Sequence, residues 1–231
     1  MCGRTSLFTP QPDVESRFGA TAESPIRPRY NIAPEDELVT IHGDATNTLT
    51  TDEWGFVPHW MDDFEGSYRP INARAETIDE KPMFRGAFGE KHCLVVADGF
   101  YEWQGERGGK QPYRVALEDD ALFAMAGIWD RWERNGETRT SVAIITTDAN
   151  ELLEPIHDRM PVVLERDRES DWVNPESAGA AKALLDPYEG EDLRAYPIST
   201  TVNDPSNDVP ELIEEIGGGS GQTGLGDFGG D

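Results

Sequence analysis

The sequence carries two cysteines, Cys2 and Cys93, in 231 residues. Two cysteines cannot build a disulfide framework, and no secretory segment precedes the first. The four histidines, His42, His59, His92 and His157, are scattered. Neither they nor the cysteines show metal-ligand spacing, so no metal is expected. No apolar run approaches the roughly 18 residues of a membrane span. An alternating βαβ rhythm and a glycine-rich phosphate loop are both missing, which argues against a dinucleotide fold and leaves no cofactor expected. Positive charge is scarce: 20 Lys+Arg stand against 45 Asp+Glu, for a formal net charge of −25. Lysine is the rarer base, present as Lys81, Lys91, Lys110 and Lys182. Such acidity fits a cytoplasm at very high salt, where self-repulsion is screened. The expectation is a cytoplasmic monomer without membrane or metal partners.

What is present excludes a disordered acidic chain: six Trp, nine Phe and several alternating runs. Net charge does not exclude nucleic acid, because a few arginines gathered in one cleft decide what phosphate meets. Residues 1–216 read as one domain. Residues 217–231, GGGSGQTGLGDFGGD, read as a Gly-rich, acidic, flexible tail. The run 91–103 reads as a strand that turns at Asp98-Gly99 into a second one, followed by strands at 112–117, 121–132 and 140–147. Glu118-Asp119-Asp120 and Asn135-Gly136 are turn signals, the latter of hairpin type. Helices are expected around 13–18, from Ala73, and around 83–89, 149–154, 167–173 and 176–185. The class is α+β: a curled, largely antiparallel sheet or barrel with peripheral helices.

Five short stretches are able to carry chemistry. Cys2 is either a small residue of a frayed end or, once Met1 is removed, an α-amine and a thiol on adjacent carbons. Such a pair forms an imine with an aldehyde and then closes to a thiazolidine. The same terminal cysteine is also able to attack an amide carbonyl, with its amine as base. In PINARAET (70–77), Asn72, Arg74 and Glu76 are either a helix cap with solvated charges or a sugar-and-phosphate clamp. In GFYEWQ (99–104), alternation puts Glu102 on the face of Phe100, opposite Tyr101 and Trp103. It is an outward edge carboxylate, or one whose pKa is raised beside aromatics as a general acid requires. His157 and Arg159 occupy a loop bracketed by Pro155 and Pro161, either solvated or as proton shuttle and phosphate ligand. In WGFVPHW (54–60), the tryptophans are core, unless Trp60 or Met61 stands exposed and stacks on bases.

Together, and in this order, the blocks are specific. MCGR, RYNIAP (29–34), WGFVPHW, INARAET (71–77), FRGAF (84–88), CLVVADGFYEW (93–103), AGIWD (126–130), ITTDAN (145–150), IHDRMPVVL (156–164) and STTVN (199–203) resemble the SRAP family. These are the SOS-response-associated peptidases, which include proteins that shield abasic sites in single-stranded DNA. The resemblance implies one distorted, mostly antiparallel β-barrel with helices around it and a DNA-binding cleft. It implies a covalent thiazolidine link between Cys2 and the ring-opened abasic sugar. Asn72 would hold the sugar and the terminal residue. Glu102 would be the acid/base carboxylate, and His157 would act near the linkage and in its reversal. Arg74 and Arg159 would contact phosphate, with Arg4 contributing. The family's peptidase label would mean self-removal of Met1 or cleavage of other proteins. A rival is a class II glutamine amidotransferase, which also begins Met-Cys-Gly and for which Asn135-Gly136-Glu137 looks like the Asn-Gly motif. A non-catalytic acidic scaffold is the third reading.

Overall fold

The computed structural model describes residues 2–66, 68–105 and 109–217. The segment read as a tail lies outside them apart from Gly217. In chain order the strands begin with β1 (Thr5–Leu7), β2 (Thr21–Ala22), β3 (Arg29–Ile32), β4 (Glu37–His42) and β5 (Thr48–Trp54). Then come β6 (Asn72–Arg74), β7 (His92–Ala97), β8 (Gly99–Gln104) and β9 (Gln111–Leu117). The long hairpin β10 (Phe123–Arg134) and β11 (Glu137–Asp148) follows, and then β12 (Arg159–Pro161), β13 (Val163–Leu164) and β14 (Leu193–Pro197). The helices are short: α1 (Gln11–Phe18), α2 (Arg85–Glu90), α3 (Glu169–Val173) and α4 (Ala178–Lys182).

Five strands close a barrel. β5, β4, β7, β10 and β11 pair antiparallel in that order, and β11 returns to β5 in parallel through Ser141↔Glu53 and Val142↔Trp54. The barrel is therefore mixed. Closure removes the open edges of a flat sheet and buries Leu38, Val95, Met125 and Ile144 completely. A second sheet, ordered β14-β9-β8-β1-β3, leaves the barrel where β7 runs through Asp98 into β8.

Asn135 and Gly136 take φ of 54° and 82°. Two positive φ values in a two-residue connection twist with the flanking strands, which is why Asn-Gly favours hairpins. Asn135-Gly136-Glu137 is thus the β10–β11 turn. Gly99 is needed for a different reason: a Cβ there would lie 2.8 Å from the guanidinium of Arg114. That buried arginine donates to Asp98 O at 2.9 Å and to the Tyr196 hydroxyl at 2.7 Å, locking the corner between the two sheets.

Two helices expected from the sequence are absent. At 149–154 the chain makes consecutive turns. The Asn150 side chain accepts from Leu153 N at 3.0 Å and donates to Tyr188 O at 2.7 Å, and Pro155 follows. From Ala73 the chain is β6 and one 3-10 turn (Ala75–Thr77), because β6 pairs in parallel with β11 (Ile144↔Asn72). Tertiary pairing there outweighs the helical preference of the two alanines. Arg159 opens β12 and does not sit in the preceding loop.

Candidate functional site

The site is built around the start of the chain. The Asp98 carboxylate accepts from Ser6 Oγ at 2.7 Å, Phe8 N at 2.6 Å and Thr9 N at 3.0 Å, which holds β1 against β8. One step further out, the main-chain N–H of Tyr101 donates to Arg4 O at 3.0 Å. The Arg4 guanidinium donates to Asn31 Oδ1 at 2.8 Å, Val202 O at 2.6 Å and Asn203 O at 3.2 Å. Arg4 therefore clamps the first strand to the STTVN segment, and its hydrogen bonds point into the protein. Cys2, two residues before it, is fully buried. Residue two is a fixed part of the core and not a frayed end.

Asn72 completes the hold, donating its Nδ2 to Cys2 O at 2.8 Å. Its Oδ1 is buried without a hydrogen-bond partner among the described residues, as is the hydroxyl of Thr146. Thr146 lies on β11 opposite Arg74. Asn72 and Thr146 lie two positions apart in the β6–β11 register, so two buried polar groups without hydrogen-bond partners among the described residues stand near one another. Thr146 carries no signal in the sequence, where it is one Thr in an apolar strand.

Glu102 is 2% exposed on β8. Burial pushes its carboxyl up to about 7, so it exchanges a proton near neutrality. Phe100 belongs to the main core, whereas Tyr101 donates its hydroxyl to Tyr30 O at 2.6 Å and packs in a separate cluster. The faces alternate as the sequence pattern requires. The Cys2 thiol is pushed far up, first by burial and then by the charge of Glu102. The sulfur is held as a neutral thiol, and a nearby base governs its nucleophilicity.

His157 comes from the β11–β12 connection. Its Nδ1 lies 3.0 Å from Arg159 N and 2.9 Å from Asp158 Oδ1. Burial lowers its pKa below the ordinary histidine value. Gln104, at the end of β8, donates to Pro155 O at 2.8 Å and so ties the Glu102 strand to the His157 loop. Lys110 is exposed just beyond, and its charge lowers the pKa of both Glu102 and His157. Neither Gln104 nor Lys110 has a sequence signature; only the strand pairing Gln104↔Gln111 brings the lysine near.

The arginines differ. Arg74 is exposed; its guanidinium makes no hydrogen bond or ion pair with a described residue, although, after the hydrogen bonds from Arg159, its charge helps to hold the Glu76 carboxyl below its usual range. Arg159 is 7% exposed. Its guanidinium takes Glu76 through both carboxylate oxygens at 2.6 and 3.0 Å, Asp148 at 2.6 Å and Thr146 O at 2.7 Å. A phosphate would have to share that arginine with two carboxylates. Of the WGFVPHW pair, Trp54 is buried and donates to Ile71 O at 2.9 Å, while Trp60 is 49% exposed. Among the described residues no three His, Cys, Asp or Glu side chains are placed to hold a metal ion, and no helix is long and apolar enough to cross a membrane.

Chemically, the cluster offers a buried thiol, a carboxyl able to give or take a proton at neutral pH, a neutral imidazole and two open polar atoms. That is equipment for addition to a carbonyl carbon. The family model of SOS response associated peptidase (SRAP) matches residues 1–205. The abasic site processing protein YoqW of Bacillus subtilis (strain 168) is 42% identical over 222 residues, covering 93% of this chain and 99% of its own. The abasic site processing protein HMCES of Xenopus tropicalis is 32% identical over 265 residues, covering 94% and 78%. A crystal structure of a Bacteroides thetaiotaomicron protein superposes with a TM-score of 0.84 at 31% identity, covering 93% of this chain and 99% of that one. With its first 205 residues matched from Cys2 to the STTVN segment, the chain belongs to the SOS response associated peptidase family.

Proposed function

We propose that this protein senses abasic sites in single-stranded DNA and links to them covalently through Cys2. The observation that carries the reading is the fixed, buried Cys2, held by Asn72 beside a carboxyl of raised pKa. Removal of Met1 frees the α-amine of Cys2. That amine attacks C1′ of the ring-opened sugar and gives a carbinolamine. Glu102 in its acid form protonates the ring oxygen and takes up the C1′ hydroxyl proton as the sugar opens; it later protonates the departing hydroxyl and receives the amine proton, so that water leaves and an imine remains. Sγ then adds to the imine carbon, and the thiol proton passes to nitrogen, closing the thiazolidine. His157 serves the reverse direction. Asn72 Oδ1 and Thr146 Oγ1 meet the sugar hydroxyls, Arg74 meets phosphate with Arg159 and Arg4 behind it, and Trp60 stacks on a base.

Peptidase activity is read as removal of Met1 by the same nucleophile. The excess of acids is read as adaptation to a cytoplasm of high salt, with the protein acting there as a monomer. The test is incubation with single-stranded DNA carrying one abasic site, followed by denaturing electrophoresis. A shifted band is expected for the wild type and for Cys93→Ser, since Cys93 is buried within β7. Cys2→Ala keeps an amine, so only a borohydride-trapped imine should survive. A stable, unreduced adduct on Cys2→Ala would overturn the reading. The amidotransferase alternative predicts glutaminase activity instead.

A further inference from the structure

The loop between β5 and β6 carries a second arrangement. It leaves the barrel at Trp54 and returns at Asn72. At its tip, the backbone N–H and the ring Nδ1 of His59 both reach the same oxygen, Asp130 Oδ2, each at 2.9 Å. Asp130 is 2% exposed, and its other oxygen takes the Lys91 ammonium and Arg131 N. Burial raises the Asp130 pKa, but hydrogen bonds from Lys91 and His59 outweigh it and leave the carboxyl below its usual range. The carboxylate is ionised and fixes the ring, with Nδ1–H as the donor.

The rest of the imidazole faces solvent: the His59 side chain is 61% exposed. The backbone bond alone would anchor the loop, so the fold does not require an oriented ring. Trp60, the next residue, exposes half of its surface. Asp130 pairs with Ser141 and Asn72 with Ile144, three residues along β11. They flank opposite sides of β11, so three residues of rise at about 3.3 Å and two strand spacings of about 4.8 Å put the anchors roughly 14 Å apart, a separation that two or three nucleotides of an extended strand would span.

We propose that His59 is a phosphodiester contact, placed beside the Trp60 indole, that continues the path of the DNA strand away from the Cys2 site. This rests on the DNA-binding reading above. In the neutral ring Nε2 is a bare acceptor and has nothing to give a phosphate oxygen. Binding therefore takes one proton from solvent onto Nε2, and the imidazolium donates to the phosphate. The charged groups around the ring are Asp130, the exposed Asp62 and Asp63 of the same loop, and Lys91 on the far oxygen of Asp130.

The probe is a fluorescent oligothymidylate of about 12 nucleotides without an abasic site, whose bases do not titrate near neutrality. Its affinity for the full chain is read by anisotropy at about pH 6 and pH 8 and constant ionic strength, a window that spans the histidine range. Wild type should bind several-fold more tightly at the lower pH, up to about tenfold for each unit that phosphate raises the ring pKa. His59→Gln can still donate to Asp130, and a melting curve checks its fold. It should lose more than half of that gain. A gain equal to the wild type's, or no gain in the wild type, overturns the proposal. The wild-type adduct assay with abasic DNA runs in parallel. Missing adduct with the His59-dependent gain intact defeats the Cys2 reading alone, and no binding of either DNA defeats both.

Discussion

The amide of Asn72 donates to the main-chain carbonyl of Cys2 over 2.8 Å. This bond joins a residue delivered by β6 to one delivered by the start of the chain. It fixes where the freed amine would stand. Asn72→Ala should slow adduct formation by roughly tenfold: a hydrogen bond of about 1 kcal/mol gives some fivefold, and the lost Oδ1 contact adds to it. Single-turnover adduct formation measures this. An unchanged rate would assign Asn72 to the fold alone.

Glu102 allows a prediction of opposite sign for stability and reaction. Its folded carboxyl titrates at about 7, against 4.5 for an ordinary glutamate. The folded state therefore holds a proton that the unfolded state has released, and stability falls as pH rises from about 4.5 to 7. Above that window, removing the penalty with Glu102→Gln should stabilise by up to roughly 3 kcal/mol. The same variant should form adduct at least tenfold more slowly, and the fall in rate above about pH 7 should disappear. Chemical melts at about pH 5 and pH 8 decide the first half, and a pH–rate profile decides the second. A Gln variant less stable than wild type at the higher pH would refute the burial argument.

Much of this is legible in the sequence, and the reasons are local. Asn-Gly fixes the β10–β11 hairpin by backbone geometry, and alternation alone puts Glu102 on the face of Phe100. The Pro-bracketed His157 loop is visible for the same reason. Barrel closure is not legible, because the β5–β11 contact is parallel and joins residues 88 positions apart in Val142↔Trp54. Arg159 reads as a loop residue because its partners, Glu76 and Asp148, come from two other segments. Thr146, Gln104 and Lys110 matter only through strand register, which no single-residue pattern carries.

The arginines should separate by experiment. Arg74 is exposed and its guanidinium is not hydrogen-bonded to a described side chain, so Arg74→Ala should reduce the salt slope of single-strand binding by about 0.7 and leave the melting temperature almost unchanged. Arg159→Ala should lower the melting temperature as well. It leaves Glu76 and Asp148 facing each other without their shared cation. The carboxylates left behind are largely exposed and screened by water, so the loss should be on the order of 1 kcal/mol, short of what a fully buried pair would cost. Equal thermal effects in the two variants would contradict the distinction.

His157 is expected to govern release. Opening a thiazolidine needs a proton on the departing sulfur and a base for water at the imine carbon. Burial lowers the His157 pKa and so favours the neutral ring. His157→Ala should form adduct within a few-fold of wild type yet release it at least tenfold more slowly. Preformed labelled adduct, chased with excess unlabelled abasic DNA, reads the release rate. Release as fast as wild type would leave His157 a structural loop residue.

Salt poses two opposing effects, and their sizes settle the direction. Many of the basic groups are already paired: Arg69 and Arg139 share Glu53, and Arg139 also holds Glu65. Screening weakens such pairs, but each exposed one contributes only about 0–1 kcal/mol. Against them stands a net charge of −25 with no cations to answer it. At about 0.01 M salt the Debye length is roughly 30 Å, so the acids repel across the molecule; near 1 M it is about 3 Å and that repulsion vanishes. Repulsion among the acids outweighs the paired charges, so the melting temperature should climb by several degrees or more between dilute buffer and molar KCl. Sodium chloride should act similarly, since screening depends on ionic strength. A melting temperature that stays flat or falls over that range would show that the paired charges dominate and that the acidity is not an adaptation to salt.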